Sequence, residues 1–386
     1  MQGSRPSCAA KIVGVLTVVI SDMHLGARPV NDVLRSHLVR SKLMPWLARA
    51  DEVVLLGDAV ELRQGPIEDA LDVARPFFGE LGEATGGKRV VIMPGNHDHP
   101  LLQERATGQF ERPVRAGEPG PLGEIASWLP QTELVLSYPG YRIRPDVWAT
   151  HGHYLDCHNT VPTIETILVA LAKRRAKLPA EGRLEVSDYE NTVAPLYTLG
   201  FRVAQRARTA AGTPSKKAWE MLARTEGRPG VAARVLGGAL VPGGVAALNR
   251  LGFGPFNAEI SGPALRTAGL RAMGEVVERL GIEAEHVIFG HTHRTGPLDG
   301  DEGWVTSSGV RLYNSGNWVY EPVFLDRSPA ASPYWPGGLV VVEDSGPPRV
   351  ERVLMDLRHE DFGPILEPSS RVLWPDPRDS DSSPPS

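Results

Sequence analysis

The chain has 386 residues, 41% apolar and 23% charged, enough to bury a sizeable core and too apolar for a globally disordered polymer. A formal net charge of −5, without a run of Lys or Arg, argues against a general nucleic-acid-binding surface and leaves room only for a local basic pocket. Two distant cysteines, Cys8 and Cys157, exclude a disulfide framework and a cysteine-built zinc site, and they fit a reducing, cytoplasmic setting.

The first apolar run, 12–20, follows Lys11 and leads straight into Ser21-Asp22-Met23-His24. It lacks the small-residue cleavage site of a secretory signal and is far short of the ~20 residues that span a bilayer, so it reads as a buried strand. A helical stretch over 32–50 follows, then a strand over 52–56 ending at Gly57-Asp58. A second helix over 67–85 leads to a strand over 89–93 that ends at Pro94-Gly95-Asn96-His97-Asp98. The strand 147–150 ends at His151-Gly152-His153. Between His158 and Ser261 no strand is evident. Val161, Ile164, Ile167, Leu168 and Leu171, and later Val193, Leu196, Tyr197, Phe201 and Ala204, recur at helical spacing, which predicts a helical insertion. A helix over 265–280 leads to a strand over 286–289 and Gly290-His291-Thr292-His293. The strand 310–313 ends at Asn314-Ser315-Gly316-Asn317. The tail from Pro364, rich in Pro, Ser and Asp, is expected to be disordered.

Uninterrupted apolar runs of this length read as strands buried on both faces, and strands alternating with helices predict a layered α/β fold. The expected organisation is a core in two parts, 11–157 and 262–363, around an insertion, 158–261, with a tail, 364–386. Ligands of such sheets gather outside the carboxyl ends of strands, which is where every polar cluster lies.

These clusters supply Asp, Asn and His and almost no sulfur. Imidazole and carboxylate suit manganese, iron, zinc or related divalent ions and exclude a soft thiolate site. A carboxylate bridges through its two oxygens, which makes Asp58 the natural bridge of an ion pair, whereas Asn96 offers only a neutral amide oxygen. Each cluster alone has an ordinary reading: Asp22-Met23-His24 as an Asx-capped turn, Gly57-Asp58 and Gly95-Asn96-His97-Asp98 as turns, His151 as a satisfied core histidine. His291 and His293, two apart on a segment read as extended, are expected to point to the same side, and Gly290 allows close backbone approach. Their joint occurrence at successive strand ends favours a metal site.

Together, Asp22-x-His24, Gly57-Asp58, Gly95-Asn96-His97-Asp98, His151-Gly152-His153 and Gly290-His291-x-His293 resemble the calcineurin-like metallophosphoesterase superfamily. The resemblance implies a four-layer α-β-β-α core with the helical insertion added. It implies two divalent ions, manganese foremost and iron, zinc or others as alternatives. One ion would be held by Asp22, His24, Asp58 and His293. The other would be held by Asp58, Asn96, His151 and His291, with His151 preferred to His153. Two such ions against two carboxylates keep the site positive, attract a phosphate and acidify a bridging water to hydroxide. The implied activity is hydrolysis of a phosphate ester or pyrophosphate bond. His97 is the candidate to protonate the leaving oxygen, and Asp98 to orient it, with a turn cap as the alternative for Asp98. His99 and His158 read as surface or supporting residues.

Asn314-Ser315-Gly316-Asn317-Trp318 is similar to the Asn-Thr-Gly-Asp-Trp of the UDP-2,3-diacylglucosamine pyrophosphatase branch, whose lid occupies the place of the insertion. That branch commonly has Arg where this chain has His97. Other pyrophosphates, phosphodiesters and phosphomonoesters are equally in view, as are a metal-free protein-binding scaffold and, against the net acidity, a DNA nuclease. The expected partner is a phosphate-containing small molecule or lipid-like substrate. The insertion, with its uncharged stretch 235–249, is read either as a lid for an apolar group, with peripheral membrane contact, or as a small structural subdomain.

Overall fold

The computed structural model of the protein describes residues 15–104, 106–206, 241–257, 262–325 and 328–367. Two β-sheets are stacked face to face. The first has the order β12 (Arg349–Arg352), β11 (Gly338–Val342), β1 (Thr17–Ile20), β2 (Glu52–Leu56), β3 (Arg89–Met93), β5 (Glu133–Tyr138), β4 (Phe110–Pro113). Strands β1, β2, β3 and β5 are parallel, and the antiparallel β11, β12 and β4 close the edges. The second sheet has the order β6 (Gly140–Arg144), β7 (Val147–Thr150), β8 (His286–Phe289), β10 (Arg311–Ser315), β9 (Thr295–Gly296).

Alternation along each strand divides its side chains between two cores. Val18, Ile20, Val53, Leu55, Val90 and Ile92 face the helices α1 (His37–Arg49), α2 (Ile67–Ala84) and α3 (Pro121–Ser127). Val19, Val54, Leu56, Val91 and Met93 face the other sheet, where they meet Val147, Ala149, Ile288 and Tyr313. Both faces are dry, which is why these strands lack polar alternation. Each buried Val or Leu is worth about 1.5–3 kcal/mol, and a one-residue slip would exchange two apolar faces while displacing the polar residue at the strand end. The layers are helix, sheet, sheet, helix, the α/β architecture expected.

The outer face of the second sheet is covered by α7 (Gly262–Leu280) together with α4 (Ile164–Ala176) and α5 (Val186–Arg206). Val169, Tyr189, Val193 and Tyr197 share a core with Trp148, Leu155, Val276 and Phe289. Glu190, fully buried, accepts hydrogen bonds from Tyr138 Oη (2.6 Å) and Tyr154 Oη (2.6 Å) and pairs with His99 Nε2 (3.0 Å). The first half of the insertion, α4 and α5, is therefore packed into the core. Of the stretch 235–249, residues 241–249 lie on α6 (Val241–Arg250), and the rest falls outside the described residues. The tail begins later than expected: α8 (Phe362–Leu366) buries Phe362 and Ile365, and residues 368–386 lie outside the described residues. Among the described residues no helix is long and apolar enough to cross a membrane.

Candidate metal centre

The ends of β1, β2, β3, β7 and β8 meet at one edge of the sandwich. Asp22 N–H donates to Gly57 O and His24 N–H to Asp58 O, while Gly290 N–H donates to His151 O. Asp22, His24, Asp58, His291 and His293 all have φ between 46° and 65°. Left-handed backbone at non-glycine residues is uncommon and costs about 1–3 kcal/mol each, so five at one place is strain concentrated at a functional site. It also corrects one expectation: His291 and His293 are not on an extended segment, and they face different groups. The crowding requires glycine twice. A Cβ on Gly95 would lie 2.3 Å from Asp58 Oδ1, and one on Gly290 would lie 2.5 Å from Asp22 Oδ2.

The residues expected to hold metals come together as two groups, Asp22/His24/His293 and Asp58/His151/His291, linked by a third, His24/Asp58/His97, that shares one residue with each. Asp58 Oδ2 lies between them, 3.7 Å from His24 Nε2 and 3.3 Å from His151 Nε2. His293 Nε2 is 3.2 Å from His24 Nε2 and 3.4 Å from Asp22 Oδ1. Asn96 places Oδ1 3.2 Å from His151 Nε2 and 3.0 Å from His291 Nδ1. His153 is not in either group; its Nε2 meets Tyr138 Oη at 3.1 Å.

The outward nitrogens of three histidines are held. His151 Nδ1 donates to Leu56 O (2.9 Å), His24 Nδ1 meets Glu61 (3.1 Å) and His291 Nε2 meets Asp156 (3.1 Å). Such contacts fix the tautomer and turn the other nitrogen's lone pair inward. With carboxylate oxygens and, in this orientation, the amide oxygen of Asn96, these lone pairs converge on common points, an array of acceptors suited to a cation. The donor set therefore fits two divalent cations of the nitrogen- and oxygen-binding kind.

Electrostatics agree. Burial disfavours the His151 imidazolium, yet the charge and hydrogen bond of Asp58, with Asp22, push its pKa up to about 10. Burial likewise opposes charge on His24, and Glu61, Asp58 and Asp22 push it up to about 9. Asp58 is held well below the usual carboxylate range: burial works against ionisation, but His151, His97 and His24 outweigh it.

His97 sits at the rim, its backbone N–H donating to Asp58 Oδ1 (2.7 Å) and its Nδ1 2.6 Å from Glu61 Oε2. The carboxylate that orients His97 is thus Glu61, not Asp98. Asp98 accepts from the backbone N–H groups of Asp58 (3.2 Å), Ala59 (2.8 Å) and Gly95 (2.6 Å), tying two ligand loops together as the turn-cap alternative foresaw. Burial, then the charge of Asp58, raises Asp98 to about 6 against those backbone donors. Sequence reading missed Glu61 and Asp156. Glu61 follows Asp58 by three residues in the same loop, which is the one local signal available. Burial opposes its ionisation, but His97 and His24 hold it far below the usual carboxylate range. Of the two readings for His99 and His158, the structure fits supporting residues: His99 is buried against Glu190, and half-buried His158 places Nε2 2.7 Å from Tyr189 Oη.

The segment 314–318 braces the histidine loop. Asn314 Nδ2 donates to Gly290 O (2.8 Å), Asn317 Nδ2 to His293 O (2.8 Å), and the N–H of buried Trp318 to Asp22 O (2.9 Å).

No curated protein matches the chain. The family model described as Calcineurin-like phosphoesterase matches residues 16–191, a span that contains Asp22, His24, Asp58, Asn96 and His151. That match and the linked His/Asp groups support a metal-dependent phosphoesterase of the calcineurin-like superfamily.

Proposed function

We propose that the protein is a dinuclear hydrolase of phosphate esters or phosphoanhydrides. The observation that carries this reading is the position of Asp58 Oδ2 between the two ligand groups, where one carboxylate serves both. Asp22, His24, Asp58 and His293 would hold one divalent ion, and Asp58, Asn96, His151 and His291 the other. When bound, such a pair supplies Lewis acidity and a water acidic enough to attack phosphorus at neutral pH.

The chain's own residues do the rest. Asp58 fixes the spacing of the two groups and, through its Oδ1, the backbone of His97. Glu61 holds Nδ1 of His97, which directs Nε2 outward to deliver a proton to the leaving oxygen and supports the imidazolium that carries it. Burial acts against that imidazolium and, with the charge of His24, lowers the His97 pKa despite Glu61 and Asp58. A lowered pKa eases proton release to a poor leaving group. Asp98 and the 314–318 segment keep the loops rigid, as a preorganised site requires.

A UDP-2,3-diacylglucosamine-type substrate is one member of this class. The 314–318 segment offers it little support, since its side chains brace the histidine loop. A non-catalytic scaffold is disfavoured because every ligand position is filled and converges.

The test is Asp58→Asn, with metal content and hydrolysis of bis(p-nitrophenyl) phosphate measured together. Loss of both ions and of turnover is expected. Wild-type metal content with normal turnover would refute the bridging role, and a wild-type chain that takes up no divalent ion would refute the reading as a whole.

A further inference from the structure

We propose that Arg63 and the amide nitrogen of Asn96 form an anion clamp that takes a phosphoryl oxygen beyond the two that a metal pair holds, so that the site prefers phosphomonoesters or phosphoanhydrides to diesters. The proposal deepens the phosphoesterase reading and rests on it.

Its basis is a conflict of donors. The amide of Asn96 turns Oδ1 toward His151 and His291, 3.2 and 3.0 Å away, and its other amide atom lies 3.1 Å from Arg63 Nη1. In this orientation an NH₂ group and a guanidinium face each other with no acceptor between them. Reversed, the amide would donate to His291 Nδ1, His151 Nε2 and Asp58 Oδ2 and accept from Arg63. The reversed amide satisfies every partner in the protein alone, but it points N–H groups at the place a cation takes. A divalent ion requires the oxygen inward. Metal loading therefore leaves Asn96 Nδ2–H and Arg63 Nη1–H convergent and in need of an acceptor, and partly buried donors left unpaired are costly. An anionic oxygen is the acceptor that suits a guanidinium.

Arg63 is held in place for this task. Its backbone N–H donates to Glu61 Oε1 (2.8 Å), and its guanidinium lies 5.7 Å from the centre of the Tyr197 ring on α5. One turn further along α5, Gly200 leaves the room it needs: a Cβ there would lie 3.0 Å from Arg63 Nε. The half of the insertion anchored in the core thus sets the position of a charge at the rim of the metal centre.

The substrate class follows from counting oxygens. Two ions hold two non-bridging oxygens of the reacting phosphate. A diester has no third. A monoester has one, and a phosphoanhydride offers those of the neighbouring phosphate.

The experiment uses the full-length, metal-loaded chain as wild type, Arg63→Ala, Arg63→Lys and Arg63→Gln. Metal content, melting temperature, calorimetric affinity for inorganic phosphate, and kcat/KM for p-nitrophenyl phosphate and bis(p-nitrophenyl) phosphate are measured. Arg63→Ala is expected to keep both ions, to bind phosphate about tenfold or more weakly, the scale of one charge-assisted hydrogen bond, and to lose at least as much on the monoester. The diester should lose less than about threefold on the same scale. Arg63→Lys should fall between, because a point charge lacks the planar fork. Arg63→Gln, which keeps much of the side-chain stem and removes the charge, should weaken phosphate binding and preserve the melting temperature; it decides the matter should Arg63→Ala fold poorly. Unchanged phosphate affinity in folded, metal-loaded Arg63→Ala, or in Arg63→Gln, overturns the clamp, as does an equal loss on both esters. A wild type that hydrolyses either ester while the Arg63 variants match it removes the clamp alone; a wild type that binds no ions removes the phosphoesterase reading and the clamp with it.

Discussion

One oxygen of Glu61 serves two histidines: Oε2 lies 2.6 Å from His97 Nδ1 and 3.1 Å from His24 Nδ1. The imidazole placed to handle the proton and an imidazole placed to hold metal are thereby fixed to one buried carboxylate. Glu61→Gln is expected to impair both, because the carboxamide lacks the negative charge that supports the two imidazoles, and if its oxygen keeps both Nδ1 contacts its NH₂ is turned against the backbone N–H of Arg63, which now donates to Oε1. Metal affinity should fall about 10–100-fold, the usual cost of losing a partner behind a ligand. Turnover at saturating metal should fall as well. Competition with a chelator measures the first and steady-state kinetics the second; a variant that matches wild type in both has no such link.

His97→Ala separates the two roles. Metal content should remain near that of the wild type, while turnover of a substrate with a poor leaving group falls by roughly 10²–10⁴-fold, the span of general acid catalysis. A p-nitrophenyl ester, which leaves without a proton, should suffer much less. Loss of metal in parallel with activity would make His97 a ligand, as its place in the group His24/Asp58/His97 allows.

Glu190 tests whether α5 belongs to the core. In Glu190→Ala three donors, from Tyr138, Tyr154 and His99, lose a buried acceptor. The expected cost is about 3 kcal/mol or more, since each orphaned buried donor costs about 1–3 kcal/mol. Urea denaturation followed by tryptophan fluorescence measures it. A variant as stable as wild type would show that α5 is only loosely attached.

The pH dependence of stability has a local contributor at His158. Burial, then the charges of Lys173 and Arg279, lowers its pKa to about 3 in the folded chain, against 6.5 unfolded. Between these values the unfolded chain takes up a proton that the folded chain refuses. Stability is therefore complete above pH 6.5 and is lost progressively as pH falls toward 3. His158→Gln, which can keep a hydrogen bond to Tyr189 without titrating, should show a shallower fall in melting temperature from about pH 6.5 to 4 than the wild type. Parallel melting profiles for the two chains would assign the acid loss elsewhere.

The strands β2, β3, β7 and β8 were legible to the residue because both faces of each are buried, and a doubly buried strand is a continuous apolar run bounded by polar residues. The edge strands β4, β6, β9 and β12 were not. β4 alternates between half-buried and exposed, and β12 is half-buried but for exposed Arg349, so their pairing is decided by the strand beside them. β11 carries the run Leu339–Val342 and was within reach of the same reasoning.

The sequence by itself determined the chemistry of the site. Asp22, His24, Asp58, Asn96, His97, His151, His291 and His293 are named by residue type and by their place after strands, and both properties are local. Only the tertiary structure decided which carboxylate meets which imidazole. Glu61 reaches His97 across 36 residues, Asp156 reaches His291 across more than a hundred, and Arg63 reaches Tyr197 on a helix that sequence reading had set apart as an insertion. The same holds for Asp98, which accepts from the backbone N–H groups of Asp58, Ala59 and Gly95, and for His153, whose Nε2 meets Tyr138 Oη. Hydrogen bonds are satisfied within about 3 Å, and distance in the chain says nothing about distance in space until the sheets have stacked.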